Sequence, residues 1–85
     1  MDISRTEQRI LHLMAQGGRI EISRDDDRKI EAVSCFTRDG WLNPGVDLEL
    51  FRRLKRLRAI KSSGGHPYRI TERGLRLVRS QVNNR

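Results

Sequence analysis

The chain has 85 residues, one cysteine and a formal net charge of +7 at pH 7, with 34% of its residues charged. That length allows a single domain, residues 1–85, with a limited core. A lone Cys35 excludes an internal disulfide, and no apolar run approaches the roughly 20 residues of a spanning helix. The N-terminus, Met1-Asp2-Ile3-Ser4-Arg5, has no apolar segment of signal-peptide type, so a cytoplasmic location is the expectation. The charge is uneven. Residues 1–40 carry seven Lys/Arg against eight Asp/Glu, net −1, and residues 41–85 carry eleven against three, net +8. A basic half suggests a polyanion or an acidic protein surface as partner; the plainer reading is charge spread over solvated faces.

Ser4 to Gln16 reads as the first helix. Ser4 can cap it, and Glu7 three residues later completes a capping box, each side chain accepting a backbone N–H of the other residue. Ile3 precedes the cap as a hydrophobic staple. Ile10, Leu11, Leu13 and Met14 form the apolar side, and Arg5, Gln8, Arg9, His12 and Gln16 fall opposite. His12 therefore reads as a solvated histidine. Gly17-Gly18 ends the helix, because glycine accepts the left-handed conformation of a C-terminal cap.

Arg19 to Arg24 reads as a strand, Ile20 and Ile22 alternating with Glu21 and Ser23. Asp25-Asp26-Asp27 forms a hairpin tip. The spaced oxygen ligands and later Glu of a calcium loop are missing, so a solvated turn is the expectation. Lys29 to Phe36 is the return strand. Its apolar members Ile30, Val33, Cys35 and Phe36 do not alternate cleanly, which points to a bulge or to burial on both sides. Cys35 reads as a small buried hydrophobe. Thr37-Arg38-Asp39-Gly40 is a second turn, and Trp41-Leu42 runs into the breaker Asn43-Pro44-Gly45. Trp41, the only tryptophan, is expected as a core or lid residue rather than a binding platform.

Asp47 can cap a second helix over Asp47–Arg58, about 18 Å long at ~1.5 Å per residue. Leu50, Phe51, Leu54 and Leu57 give it an apolar face, and Arg52, Arg53, Lys55, Arg56 and Arg58 fill the rest. Ala59 to Ser62 changes character, Ser63-Gly64-Gly65 supplies a turn, and His66-Pro67-Tyr68-Arg69-Ile70 returns as a strand with Pro67 at its start or on an edge. Tyr68 is expected to pack on the last helix, which Thr71 caps and whose stripe is Leu75, Val78 and Val82. The fold class is α+β, a single winged-helix-like domain in the order α-β-β-α-β-β-α.

A helix of this length suits a DNA major groove. A usual helix-turn-helix also needs a preceding helix packed across it, and none is evident between Phe36 and Asp47. The same basic face suits an acidic protein surface. The candidate partner- or DNA-binding residues are Arg52, Arg53, Lys55, Arg56, Arg58, Lys61 and Arg69. Arg52, Arg53 and Arg56 are expected to matter most, since they lie away from Leu50, Leu54 and Leu57. Phosphate loop, Ser/His/Asp arrangement and metal cluster are all missing. The expectation is a binding protein rather than an enzyme, with no metal, cofactor, membrane or small-molecule substrate. Glu7, Glu31 and Glu72 read as caps and solvated carboxylates.

The segments Ser4-Arg5-Thr6-Glu7-Gln8-Arg9-Ile10-Leu11-His12, Gly17-Gly18-Arg19-Ile20, Gly65-His66-Pro67-Tyr68-Arg69-Ile70 and Val78-Arg79-Ser80-Gln81-Val82-Asn83-Asn84-Arg85 resemble the YjhX family of small bacterial proteins, the UPF0386 type. The likeness covers essentially the whole chain and rests on collinear spacing. It implies the toxin of a bacterial toxin–antitoxin pair, with DNA topoisomerase I as the enzyme bound and inhibited and a separate antitoxin protein as the second partner. The alternative from the residues is a winged-helix DNA-binding regulator that uses the helix 47–58 and the wing 59–71. One departure from the family pattern is visible. Relatives usually place a glycine shortly before the return strand, where this chain reads Asp27-Arg28-Lys29.

Overall fold

The computed structural model describes residues 3–82, the side chains of 81 and 82 excepted. Helix α1, Arg5–Ala15, begins on the expected capping box. The Glu7 N–H donates to Ser4 Oγ at 3.1 Å and the Ser4 N–H donates to Glu7 Oε1 at 2.7 Å. Ile10, Leu11 and Met14 are buried, while Arg5, Arg9 and His12 face solvent. Gly17 then reverses the chain at φ +106°. Gly18 is fixed by space: a Cβ there would lie 2.4 Å from Leu13 Cδ2 and 2.8 Å from the Phe36 carbonyl oxygen.

Strands β1, Arg19–Arg24, and β2, Ile30–Phe36, pair antiparallel. Ser23 pairs with Ala32 and Arg24 with Ile30, so Glu31 is an extra residue in β2. This is the bulge suggested by the irregular apolar spacing of the return strand. At the tip, Asp25 Oδ1 accepts the N–H groups of Asp27 and Lys29, both at 2.9 Å. Arg28 stands at φ +65°, the left-handed region that favours glycine. An arginine thus holds a glycine-like conformation at this tip.

The next turn matches expectation: the Gly40 N–H donates to the Thr37 carbonyl at 2.9 Å and the Thr37 N–H to the Trp41 carbonyl at 2.8 Å. It delivers a strand where the sequence pattern predicts only a loop. This β3, Leu42–Asn43, pairs with β2 through Cys35↔Asn43 and Phe36↔Leu42. The order is therefore α-β-β-β-α-β-β-α. Two residues are too few for a periodic signal, and the turn geometry alone brings them back against β2.

Helix α2 spans Leu48–Arg56, and its Leu50 N–H donates to Asp47 Oδ1 at 2.9 Å, as a cap requires. Nine residues make it about 13 Å long, shorter than expected. Arg58 falls beyond the helix, at φ +58°. The helix end is held from α3, Glu72–Val82. Arg73 Nε donates to the Leu57 carbonyl at 2.8 Å, and Thr71 Oγ1 donates to the Arg58 carbonyl at 2.7 Å. The same hydroxyl accepts the Gly74 N–H at 3.0 Å, so Thr71 caps α3 as expected.

Strands β4, Ile60–Lys61, and β5, Arg69–Ile70, form a two-rung hairpin. Just before β5, Tyr68 exchanges two backbone hydrogen bonds with Ile20, at 2.8 and 3.0 Å, and ties this hairpin to β1. The buried core draws on Ile10, Leu11 and Met14 of α1, Ile20, Cys35, Phe51 and Leu54, Ala59 and Ile60, and Val78. The inner side of α3 is set by Gly74, where a Cβ would lie 2.4 Å from the Ala59 carbonyl oxygen. That approach turns Leu77 and Val78 to the core, whereas Leu75 is half-buried and Val82 lies outside the described side chains. No helix among the described residues is long and apolar enough to cross a membrane.

Two substitutions test these backbone constraints by urea unfolding. Gly74→Ala should lose about 1–3 kcal/mol, because neither the carbonyl nor the helix can yield freely. Arg28→Gly should gain roughly 0.5–1 kcal/mol by removing the left-handed penalty of a non-glycine residue.

Candidate functional site

The basic surface is centred on α2. Leu50, Phe51 and Leu54 are buried, so helical geometry sends Arg52 and Arg56 directly outward as neighbours one turn apart. The seven residues singled out from the sequence divide here into two groups.

Three are engaged within the fold. Arg53 Nε donates to Glu7 Oε2 in a salt bridge, and the Glu7 side chain is only 1% exposed. Burial by itself would raise the Glu7 pKa, but the Arg53 guanidinium and the Ser4 contacts outweigh it and hold the carboxyl below its usual range. The same pairing raises the pKa of Arg53. Arg69 Nη1 donates to the carbonyls of Gly17 and Gly18 at 3.0 and 3.3 Å, closing the C-terminal end of α1. Lys55 Nζ lies 5.5 Å from the Phe51 ring centre and 5.7 Å from that of Tyr68. These two rings meet edge to face at 4.9 Å. Tyr68 therefore packs against α2, a contact that the sequence pattern does not predict. The non-local pairing of Tyr68 with Ile20 carries the ring there.

The other four, Arg52, Arg56, Arg58 and Lys61, are exposed and make no salt bridge or side-chain hydrogen bond among the described residues. Lys61 and Arg69 share an open groove of about 660 Å³ on one side of the β4–β5 hairpin. Arg53 was expected to stand with Arg52 and Arg56. Its tie to Glu7 went unread because the capping box already accounted for Glu7, and the partners lie 46 residues apart. Glu72 matches its reading, exposed and 3.5 Å from Arg76.

Trp41 corrects another expectation. It is 74% exposed, and Leu42 beside it is 60% exposed, so the tryptophan is no core residue. Cys35 is buried, and burial pushes its thiol pKa up, away from a reactive thiolate. Among the described residues, no group of three His, Cys, Asp or Glu side chains gathers as a metal site. What the surface offers chemically is fixed positive charge beside a short hairpin.

The YjhX toxin family, described as "Putative toxin of bacterial toxin-antitoxin pair", matches residues 1–85. The chain belongs to this family. An antitoxin is accordingly a partner implied by membership. The chain is 94% identical to a UPF0386 protein of Rhizobium johnstonii and 91% identical to one of Rhizobium etli strain CIAT 652. It is 68% identical to a UPF0386 protein of Agrobacterium fabrum. Each comparison spans 85 residues and the whole of both chains. No solved structure matches it.

The Glu7 tie has a pH signature. A carboxyl with a depressed folded pKa contributes stability above its unfolded pKa, and loses it as pH falls through the folded value. Glu7→Gln should cost about 1.5–3 kcal/mol at pH 7, the range for a hydrogen bond to a charged group. The difference from the parent should shrink as pH falls below about 4.3, the ordinary glutamate value. Urea unfolding at pH 7 and pH 3 checks both statements; a gap that persists unchanged at pH 3 would count against the ionised pair.

Proposed function

We propose that this toxin acts by binding DNA topoisomerase I and blocking its work on DNA. The contact is made through Arg52 and Arg56 of α2, extended by Arg58 and Lys61. The observation that carries this reading is that these four cations are exposed without internal counter-charges among the described residues, while Arg53, Lys55 and Arg69 are engaged in the fold. A cationic ridge is complementary to an acidic patch at the rim of the enzyme's cleft or to the DNA held in it, and from either it obstructs the path of the DNA. The topoisomerase itself comes from the family resemblance. The action is steric and electrostatic occlusion, with no chemistry performed by the chain.

The same ridge raises the reading of a DNA-binding regulator. One feature of the fold weighs against it. The position of the helix that braces a recognition helix is occupied by β3 and the Asn43–Val46 connection. Direct duplex binding through four phosphate contacts would show a log–log salt slope of about −3.6.

The deciding experiment is relaxation of supercoiled DNA by purified topoisomerase I with increasing amounts of this protein. Inhibition should saturate near stoichiometry, and Arg52→Glu/Arg56→Glu should weaken it at least tenfold with an unchanged circular dichroism spectrum. No inhibition at large molar excess would overturn the proposal. Inhibition that merely follows duplex coating, with the salt slope above, would favour the regulator.

A further inference from the structure

A second surface lies away from the α2 ridge. Trp41 and Leu42, the exposed large hydrophobic residues among those described, stand where the β2–β3 turn enters β3. β3 is an outer strand of its sheet. Beside it, between α1 and the turn, is a groove of about 400 Å³ whose lining includes Arg9, His12, Arg38, Asp39 and Asn43. Arg5 continues the positive face along α1. Arg5, Arg9 and Arg38 make no salt bridge or side-chain hydrogen bond among the described residues, and Asp39 is the single carboxylate in the lining. On α1 these cations sit opposite Glu7, which faces α2, so the two surfaces lie on different sides of the helix.

We propose that this groove and the Trp41–Leu42 edge bind an acidic segment of a partner protein. Such a segment places carboxylates against Arg9 and Arg38 and an apolar side chain against Trp41. Two observations converge on that occupant. The exposed arginines without an ion-pair partner are complementary to anionic groups, and an exposed tryptophan next to a concave, charged rim is the composition of a binding anchor. A second copy of this chain fits poorly, since like-facing copies would press Arg9 and Arg38 against their own kind in a molecule of net charge +7. Membership of a toxin–antitoxin family supplies a protein partner of the required kind, the antitoxin. The inference rests on this surface and on that membership, and is independent of the topoisomerase reading. The placement also lets both surfaces be occupied together.

Trp41 is the only tryptophan, so its emission reports this surface directly. The probe is a synthetic tryptophan-free peptide of Glu and Leu, compared with the same peptide carrying Gln for every Glu. The Glu peptide should shift Trp41 emission to the blue saturably and shield it from iodide. The Gln peptide should bind at least tenfold more weakly. Arg9→Glu/Arg38→Glu should lose the response at least tenfold, and Arg9→Gln/Arg38→Gln, which retains most of each aliphatic stem, should weaken it in the same direction. Both variants should keep the parent's effect, or lack of effect, on topoisomerase I, which separates failure here from failure of the proposed target. Equal response to both peptides, no response to the Glu peptide, or a response that survives charge reversal would overturn the proposal. So would a blue shift that grows with protein concentration alone, because a second copy would then cover Trp41.

Discussion

Removing a carboxylate from water costs several kcal/mol unless its lone pairs and charge are met inside the protein. Glu7 is the buried charged residue among those described, and both of its oxygens are met, one by the Ser4 N–H and the other by Arg53. The contact with Ser4 is local and starts α1. The contact with Arg53 crosses 46 residues and docks α1 on α2. Burial of Leu50, Phe51 and Leu54 sets the rotation of α2, and in that rotation Arg53 meets Glu7 while Arg52 and Arg56 point outward. The buried carboxylate thus distinguishes Arg53 from its two neighbours on the same helix.

The β4–β5 hairpin is secured in a similar way. Arg69 reaches the carbonyls just after α1, Tyr68 is paired to Ile20 and packed edge to face on Phe51, and Arg73 and Thr71 satisfy the carbonyls that end α2. Helix C-termini carry partial negative charge, so the two arginines also complement the helix dipoles. Much of the basic half is therefore structural in origin. Two groups of exposed cations without ion-pair partners remain, one on the outer ridge of α2 with Arg58 and Lys61 and one on the α1 face near β3. For a toxin that must meet both a target and an antitoxin, two separated surfaces are a physically sufficient arrangement.

Local chemistry was legible from the sequence. The Ser4–Glu7 box, the Asp47 and Thr71 caps, the alternation of Ile20 and Ile22, and the bulge in β2 each involve residues a few positions apart. Features that depend on distant parts of the chain were not. β3 is two residues long and exists only because the Thr37–Gly40 turn folds it onto β2. The contact of Tyr68 with α2 has no local sign, since its pairing with β1 delivers the ring there. Arg53 looked equivalent to Arg52 and Arg56, because nothing near it reveals a buried carboxylate on another helix. Trp41 was expected in the core on the ground of its size, and its exposure became visible only with the sheet edge in place.

The double-mutant cycle of Glu7→Gln and Arg53→Gln, followed by urea unfolding at pH 7, tests the central tie most directly. The account predicts a favourable coupling between the two residues, clearly above the level of independent sites. A coupling below about 0.5 kcal/mol, the level of independent sites, would contradict it. In that case Arg53 would rejoin Arg52 and Arg56 as a free cation.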